Sequence, residues 1–257
     1  MPTLRSIRLV TWGNAWLSGT VALDDLLDGV RGDDVAHTVS LPPRGVDVAA
    51  STGAGARMAA VVEALPVPFA LAQLRRQGTT ALHLALPVPG DPLGLAGPPA
   101  TTEAVVAAGE GVLAEGAGLA LVPALVGAGV QWSALPAEAP RVLSSRSDAE
   151  RQLNEGLIAA ARELAGLDVA RSNPALLRAL AAESAGGRGD ELPPTLPERD
   201  LGLLARATRL RTVLAVALAD DGGARTTGEA AARREVLVPL DRLVRRALVA
   251  ACTAGPG

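Results

Sequence analysis

Two side chains in this chain have the types and spacing to do chemistry together, His83 and Asp91. An imidazole gives or takes a proton near neutral pH and a carboxylate can fix its tautomer, so the pair could act as a general base with its orienting group. A catalytic set needs a third member. No Gly-x-Ser-x-Gly elbow accompanies the pair, no reactive cysteine or metal-ligand pair completes it, and the single Cys252 lies among small apolar residues near the end of an expected helix. The competing reading is structural: a histidine packed beneath a helix and an aspartate fixing the turn Pro89-Gly90-Asp91-Pro92.

The remaining candidates carry less. Asp24 and Asp28 share one face of an expected helix and could begin a metal site, but no further ligand stands close by, so none is assigned. Ser51-Thr52-Gly53-Ala54-Gly55-Ala56-Arg57 invites comparison with a phosphate-binding loop. Asp47 interrupts the strand that should precede it and Glu63 comes too early for the ribose-binding acid, so the segment reads as a flexible connection. Arg242, Arg245 and Arg246 read as solvated arginines on a helix, and replacing Arg245 by Ala is expected to cost under about 0.5 kcal/mol. The chain has no lysine, which excludes Schiff-base chemistry and the lysine of a Walker loop.

His83 and Asp91 must be placed by the stretch from Thr79 to Pro136. Ala81 to Leu86 alternates so that Leu82, Leu84 and Leu86 share one strand face, leaving His83 beside Ala81 and Ala85 on the other. Pro87 to Ala100 follows as a structured loop, because its prolines fix φ and its glycines allow tight turns. A short helix capped by Thr101 or Thr102 is expected next. Strands over Gly111–Glu115, Gly118–Val126 and Val130–Leu135 then follow, joined by connections too short for parallel crossovers.

Upstream, Trp12 and Trp16 followed by Leu23, Leu26, Leu27 and Val30 indicate one or two helices with an acidic outer face, with Gly29 as a stop. His37 to Leu41 reads as a short strand, and Leu65 to Gln77 as a helix. Downstream, Ser147 with Glu150 and Thr226 with Glu229 read as capping boxes, and Asn173-Pro174 as a helix start. A long helix spans Glu198 to Ala219. The last helix carries Leu237, Leu240, Val244, Leu248 and Ala251 on one face, with Pro239 kinking or restarting it. Gly186 to Pro197 reads as a polar connection.

The chain has 257 residues, 49% of them apolar, ample for a buried core, and a net charge of −3 that gives no general attraction to nucleic acid or an anionic membrane. Arg5, Arg8 and the following Leu9-Val10 mimic the start of a secretion signal, but Gly13 and Asn14 interrupt the apolar run. A lone cysteine and the absence of a membrane-length apolar segment favour a reducing, cytoplasmic setting.

Four stretches carry a resemblance: Thr11-Trp12-Gly13-Asn14-Ala15-Trp16, Leu82 to Pro98, Gly118-Leu119-Ala120-Leu121-Val122-Pro123 and Pro239-Leu240-Asp241-Arg242. With them the chain resembles a family of hypothetical proteins from high-GC actinobacteria, over most of its length. The resemblance implies a bacterial cytoplasmic protein and transfers no catalytic residue.

The expected fold is therefore α+β. An antiparallel sheet with flanking helices occupies residues 1–145 and about four packed helices occupy 146–257, as two regions or one continuous domain. The leading functional expectation is a non-catalytic binding or protein-interaction protein, with a protein partner or small ligand and no cofactor, metal, nucleic acid or membrane. The alternative is a small-molecule enzyme with a pocket near His83 and Asp91 beneath the loop over residues 87–100.

Overall fold

The structure is a computed structural model that describes residues 4–42, 64–138, 144–166, 192–219 and 227–253. The chain divides into two compact units, one of Leu4–Val142 with Glu191–Thr195 and one of Met1–Thr3, Leu143–Asp190 and Leu196–Gly257.

In the first unit the elements run α1 (Arg5–Leu17), α2 (Leu23–Arg31), β1 (His37–Ser40), β2 (Ala64–Pro66), α3 (Val67–Arg76), β3 (Ala81–Ala85), α4 (Pro99–Ala108), β4 (Gly111–Glu115), β5 (Leu119–Val126) and β6 (Gly129–Pro136). The strands form one six-stranded sheet in the order β2-β1-β6-β5-β4-β3. Consecutive neighbours from β3 to β6 pair antiparallel, as their connections imply. One pair departs from that rule: β1 lies parallel to β6, with Val39 opposite Trp132. Those two strands are far apart in sequence, so a short-connection argument is silent about them.

Pleat and register sort the sheet into two apolar faces. Leu82, Leu84, Val112, Leu121 and Trp132 are buried on one, where α1 packs across β3 and β4. Ala85, Leu113, Ala120 and Val122 are buried on the other with Val105 of α4, Leu95 of the preceding loop and Ala137. Glycines allow the closest approaches on the first face. A Cβ at Gly13 would lie 2.4 Å from Leu82 Cδ1, and one at Gly29 would lie 2.1 Å from Trp12 Cε2. Gly29 is therefore not a helix stop: α2 continues to Arg31 and ends at Gly32, whose φ of +50° suits glycine.

β3 is a sheet edge, and its exposed backbone is closed by a side chain. Asn14 Nδ2 donates to the Leu82 carbonyl at 2.8 Å while Asn14 Oδ1 accepts from the Leu82 N–H at 2.7 Å, imitating one rung of a further strand. The Gly13-Asn14 pair that breaks the apolar run is thus what seats α1 on β3. Arg5 and Arg8 stand in the first turns of the same helix. Arg8 is buried against Gly32 at the end of α2, where a Cβ would fall 1.5 Å from its Nη1.

The second unit contains α5 (Arg146–Gly166), α6 (Glu198–Ala219) and α7 (Thr227–Thr253), with α7 packed on both others. Leu153, Leu203, Ala207, Leu214, Leu237, Leu240, Val244 and Leu248 form its buried side, and Gly156 leaves room for Leu243. The cap of α5 lies two residues before the expected one: the Asp148 N–H donates to Ser145 Oγ at 3.1 Å, and that hydroxyl donates to Asp148 Oδ2 at 2.6 Å. α7 runs through Pro239. The expected helix start at Asn173-Pro174, the cap residue Thr226 and the first half of the Gly186 to Pro197 connection lie outside the described residues.

Candidate functional site

His83 sits in the middle of β3, opposite Leu113 and on the face that carries Ala85. Its carboxylate partner is Glu115, the last residue of β4, with His83 Nε2 2.7 Å from Glu115 Oε2. Glu115 pairs with Ala81 across the strands, which places it diagonally from His83 and within reach of a ring nitrogen. The imidazole is only 9% exposed while the glutamate side chain is 46% exposed. Nε2–H therefore donates to a carboxylate at the surface, and Nδ1 is buried with no hydrogen-bond partner.

Asp91 stands at the end of a tight turn. Val88 N–H donates to the Asp91 carbonyl at 3.0 Å and Asp91 N–H to the Val88 carbonyl at 2.9 Å, with Pro89 and Gly90 between them and Gly90 at φ +80°. Proline followed by a positive-φ glycine is what such a turn requires. The loop that follows is tied down rather than loose: Leu95 N–H donates to Pro92, Glu138 N–H to Ala96, and Leu95 is buried. Thr101 does not cap α4. It is buried inside the first turn and its hydroxyl donates to the Pro136 carbonyl at 2.7 Å.

Sequence reasoning places His37 on a strand and assigns it no role, yet it is the centre of a polar cluster that joins Arg5, Asp34 and Trp132. Arg5 grips Asp34 with two parallel bonds, Nε to Oδ2 at 2.8 Å and Nη2 to Oδ1 at 2.7 Å. Asp34 Oδ2 also lies 3.1 Å from His37 Nε2, and Trp132 Nε1–H donates to His37 Nδ1 at 3.2 Å. The indole can only donate, so Nδ1 accepts and the proton resides on Nε2. Burial holds the His37 pKa below its ordinary value despite Asp34, and the Arg5 bond holds Asp34 below the usual carboxylate range. With both ring nitrogens occupied, His37 positions β1 against β6 and is not a free base. One signal in the sequence could have pointed to it: Asp34 stands three residues before the histidine. Nearby, Glu110 Oε2 accepts the Ser6 N–H at 2.8 Å, closing an α1 terminus that has no side-chain cap of its own.

His37 also lines a pocket of about 250 Å³. Leu27 and Val30 of α2 and Pro66, Val67 and Pro68 at the start of α3 give it apolar walls, and Asp28 and Arg31 stand at its edge. These two form an exposed ion pair at 2.8 Å. Asp28 is thus a partner of Arg31, and among the described residues no group of three or more His, Cys, Asp or Glu is placed to hold a metal ion.

In the helical unit, Arg146 Nε meets the buried Asp200 carboxylate at 3.1 Å. Cys252 is fully buried, and desolvation first, then the Asp200 charge, pushes its thiol up to about 12, which makes it inert as a nucleophile. Arg245 corrects an expectation. It is 5% exposed and its Nε donates to Asp241 Oδ2 at 2.8 Å one turn earlier, so it belongs to the interior and not to a solvated basic surface.

Among the described residues no helix is long and apolar enough to cross a membrane. No solved structure matches the chain significantly. At the level of sequence the chain is similar to two proteins of Mycobacterium tuberculosis, the uncharacterized protein Rv1486c of strain H37Rv and the uncharacterized protein MT1533 of strain CDC 1551. Each is 28% identical over 280 aligned positions that cover 97% of this chain and 96% of the relative. Family profiles described as the N-terminal and C-terminal domains of Rv1486c-like proteins match residues 6–145 and 147–249. The chain belongs to the Rv1486c-like protein family, an actinobacterial family as its sequence motifs implied.

Proposed function

We propose that this chain is a non-catalytic, cytoplasmic binding protein whose binding surface lies on the sheet-containing unit. The observation that carries the reading is the state of the two histidines. His37 has both ring nitrogens engaged by Asp34 and Trp132, and His83 has Nε2 engaged by Glu115 while Nδ1 is shut off from solvent. A general base needs a ring nitrogen within reach of a substrate proton, and neither ring presents one. The carboxylate bonded to His83 Nε2 is Glu115, which supports reading Asp91 as a turn residue.

An exposed apolar end of the sheet adds support. Val35, Leu125 and Val126 are 71%, 65% and 59% exposed, and the Val35 N–H to Ala128 carbonyl bond brings the α2–β1 connection onto the β5–β6 turn. Adjacent exposed apolar residues are a common mark of an interaction surface. The test is affinity purification of the full chain from an actinobacterial host, with identification of co-purifying proteins and metabolites. A stoichiometric partner or ligand that survives His83→Gln and Asp91→Asn fits the reading. A retained metabolite that is chemically converted, with conversion lost in either variant, would favour the enzyme.

A further inference from the structure

We propose that the pocket formed by α2, β1 and the start of α3 binds a small zwitterion, an amino acid with a short branched apolar side chain. The inference deepens the binding reading above and rests on it. Three features of the pocket select this class.

The first is size. A volume of about 250 Å³ corresponds to about eight water volumes at roughly 30 Å³ each. Pockets for drug-sized ligands run from about 300 Å³ upward, so this one suits a smaller molecule, a class that includes valine and leucine. The second is the wall. Leu27, Val30, Pro66 and Val67 present hydrocarbon, and His37 adds a ring whose two nitrogens are already bonded, so the interior offers an apolar side chain no polar group to satisfy.

The third is the charge at the mouth. Asp28 and Arg31 stand there with opposite signs, joined through one oxygen and one nitrogen, Asp28 Oδ1 and Arg31 Nη2. Asp28 Oδ2 and the other guanidinium N–H groups remain to receive a ligand, the oxygen an ammonium and the guanidinium a carboxylate. A lone anion would sit beside Asp28 and a lone cation beside Arg31, each against a like charge, whereas a zwitterion meets both with the correct sign. α3 begins in the pocket wall with no acidic residue in its first turn and no side-chain cap, so its positive end favours the carboxylate of a ligand held there.

The experiment is isothermal titration calorimetry of the full chain with L-leucine and L-valine, and with isovalerate and isobutylamine as probes that carry one charge each. Leucine or valine should bind with a Kd of about 1 mM or tighter, and each singly charged probe at least about tenfold more weakly. Asp28→Asn and Arg31→Gln alter exposed side chains and should leave folding intact while weakening binding at least about tenfold. Leu27→Trp, which fills the pocket, should abolish it. No heat from either amino acid at about 10 mM, equal binding of a singly charged probe, or affinity unchanged in all three variants would each overturn the inference. The two readings also fail separately: consumption of the bound amino acid would sink the non-catalytic reading and leave the pocket, whereas a protein partner without amino-acid binding would do the reverse.

Discussion

At the scale of single residues, His37 couples this fold to pH. Its folded pKa lies below the ordinary 6.5, chiefly through burial. As pH falls through about 6.5 the unfolded chain takes up a proton that the folded chain resists, so stability drops through this window and levels off below the folded pKa. Asp34 acts in the same direction in a lower window, its contribution being full above 3.8 and lost as pH falls through its folded pKa. The urea midpoint advantage of the natural protein over His37→Leu should therefore shrink between pH 7 and pH 5, and an advantage that grows on acidification would show that the folded state welcomes the imidazolium. A second residue-scale prediction concerns Gly32, where positive φ and the Arg8 guanidinium both oppose a side chain. Gly32→Ala should cost more than about 1 kcal/mol in denaturant unfolding. The Asp34–His37 spacing was open to inspection in the sequence, but Trp132 meets His37 only through the parallel pairing of β1 with β6, which no local pattern encodes.

At the scale of elements, α1 and β3 are locked by one amide. Asn14 supplies both a donor and an acceptor to Leu82, so Asn14→Ala leaves two backbone groups on an edge strand without partners. The expected cost is about 1–3 kcal/mol, with faster hydrogen exchange of the Leu82 amide. Unchanged exchange there would mean that the edge is closed by something else. Strands β3 to β6 and helix α6 were legible because period and turn chemistry agreed within each segment. Gly29 was misleading because a glycine that makes room for a neighbouring element looks, in one dimension, like a glycine that ends a helix. Arg245 misled similarly, since a helical arginine one turn after an aspartate reads the same on either side of a helix. Because it is buried against Asp241, Arg245→Ala should cost more than about 1 kcal/mol rather than the small surface value. Equal thermal midpoints for Arg245→Ala and the natural protein would restore the surface reading.

At the scale of the whole molecule, the α+β organisation follows from a sheet with two apolar faces in one unit and three described helices in the other. Alternation and amphipathic spacing make the α+β class readable in the sequence, with the sheet in the N-terminal part and helices in the C-terminal part. The candidate site was less legible: His83 was found on the expected strand face, but its partner Glu115 comes from across the hairpin, and the pocket beside His37 is assembled from three separated segments. On the proposed reading, function at this scale is retention without conversion. The most direct measurement is to incubate the full chain with an actinobacterial metabolite extract, follow both what is retained by native mass spectrometry and what disappears from solution, and repeat it with His83→Gln. Stoichiometric retention of a small molecule or a protein partner, with no loss of any metabolite beyond the protein concentration and no effect of His83→Gln, is the outcome predicted. Multiple-turnover depletion of a metabolite that His83→Gln abolishes, in a variant that still folds, would contradict the account.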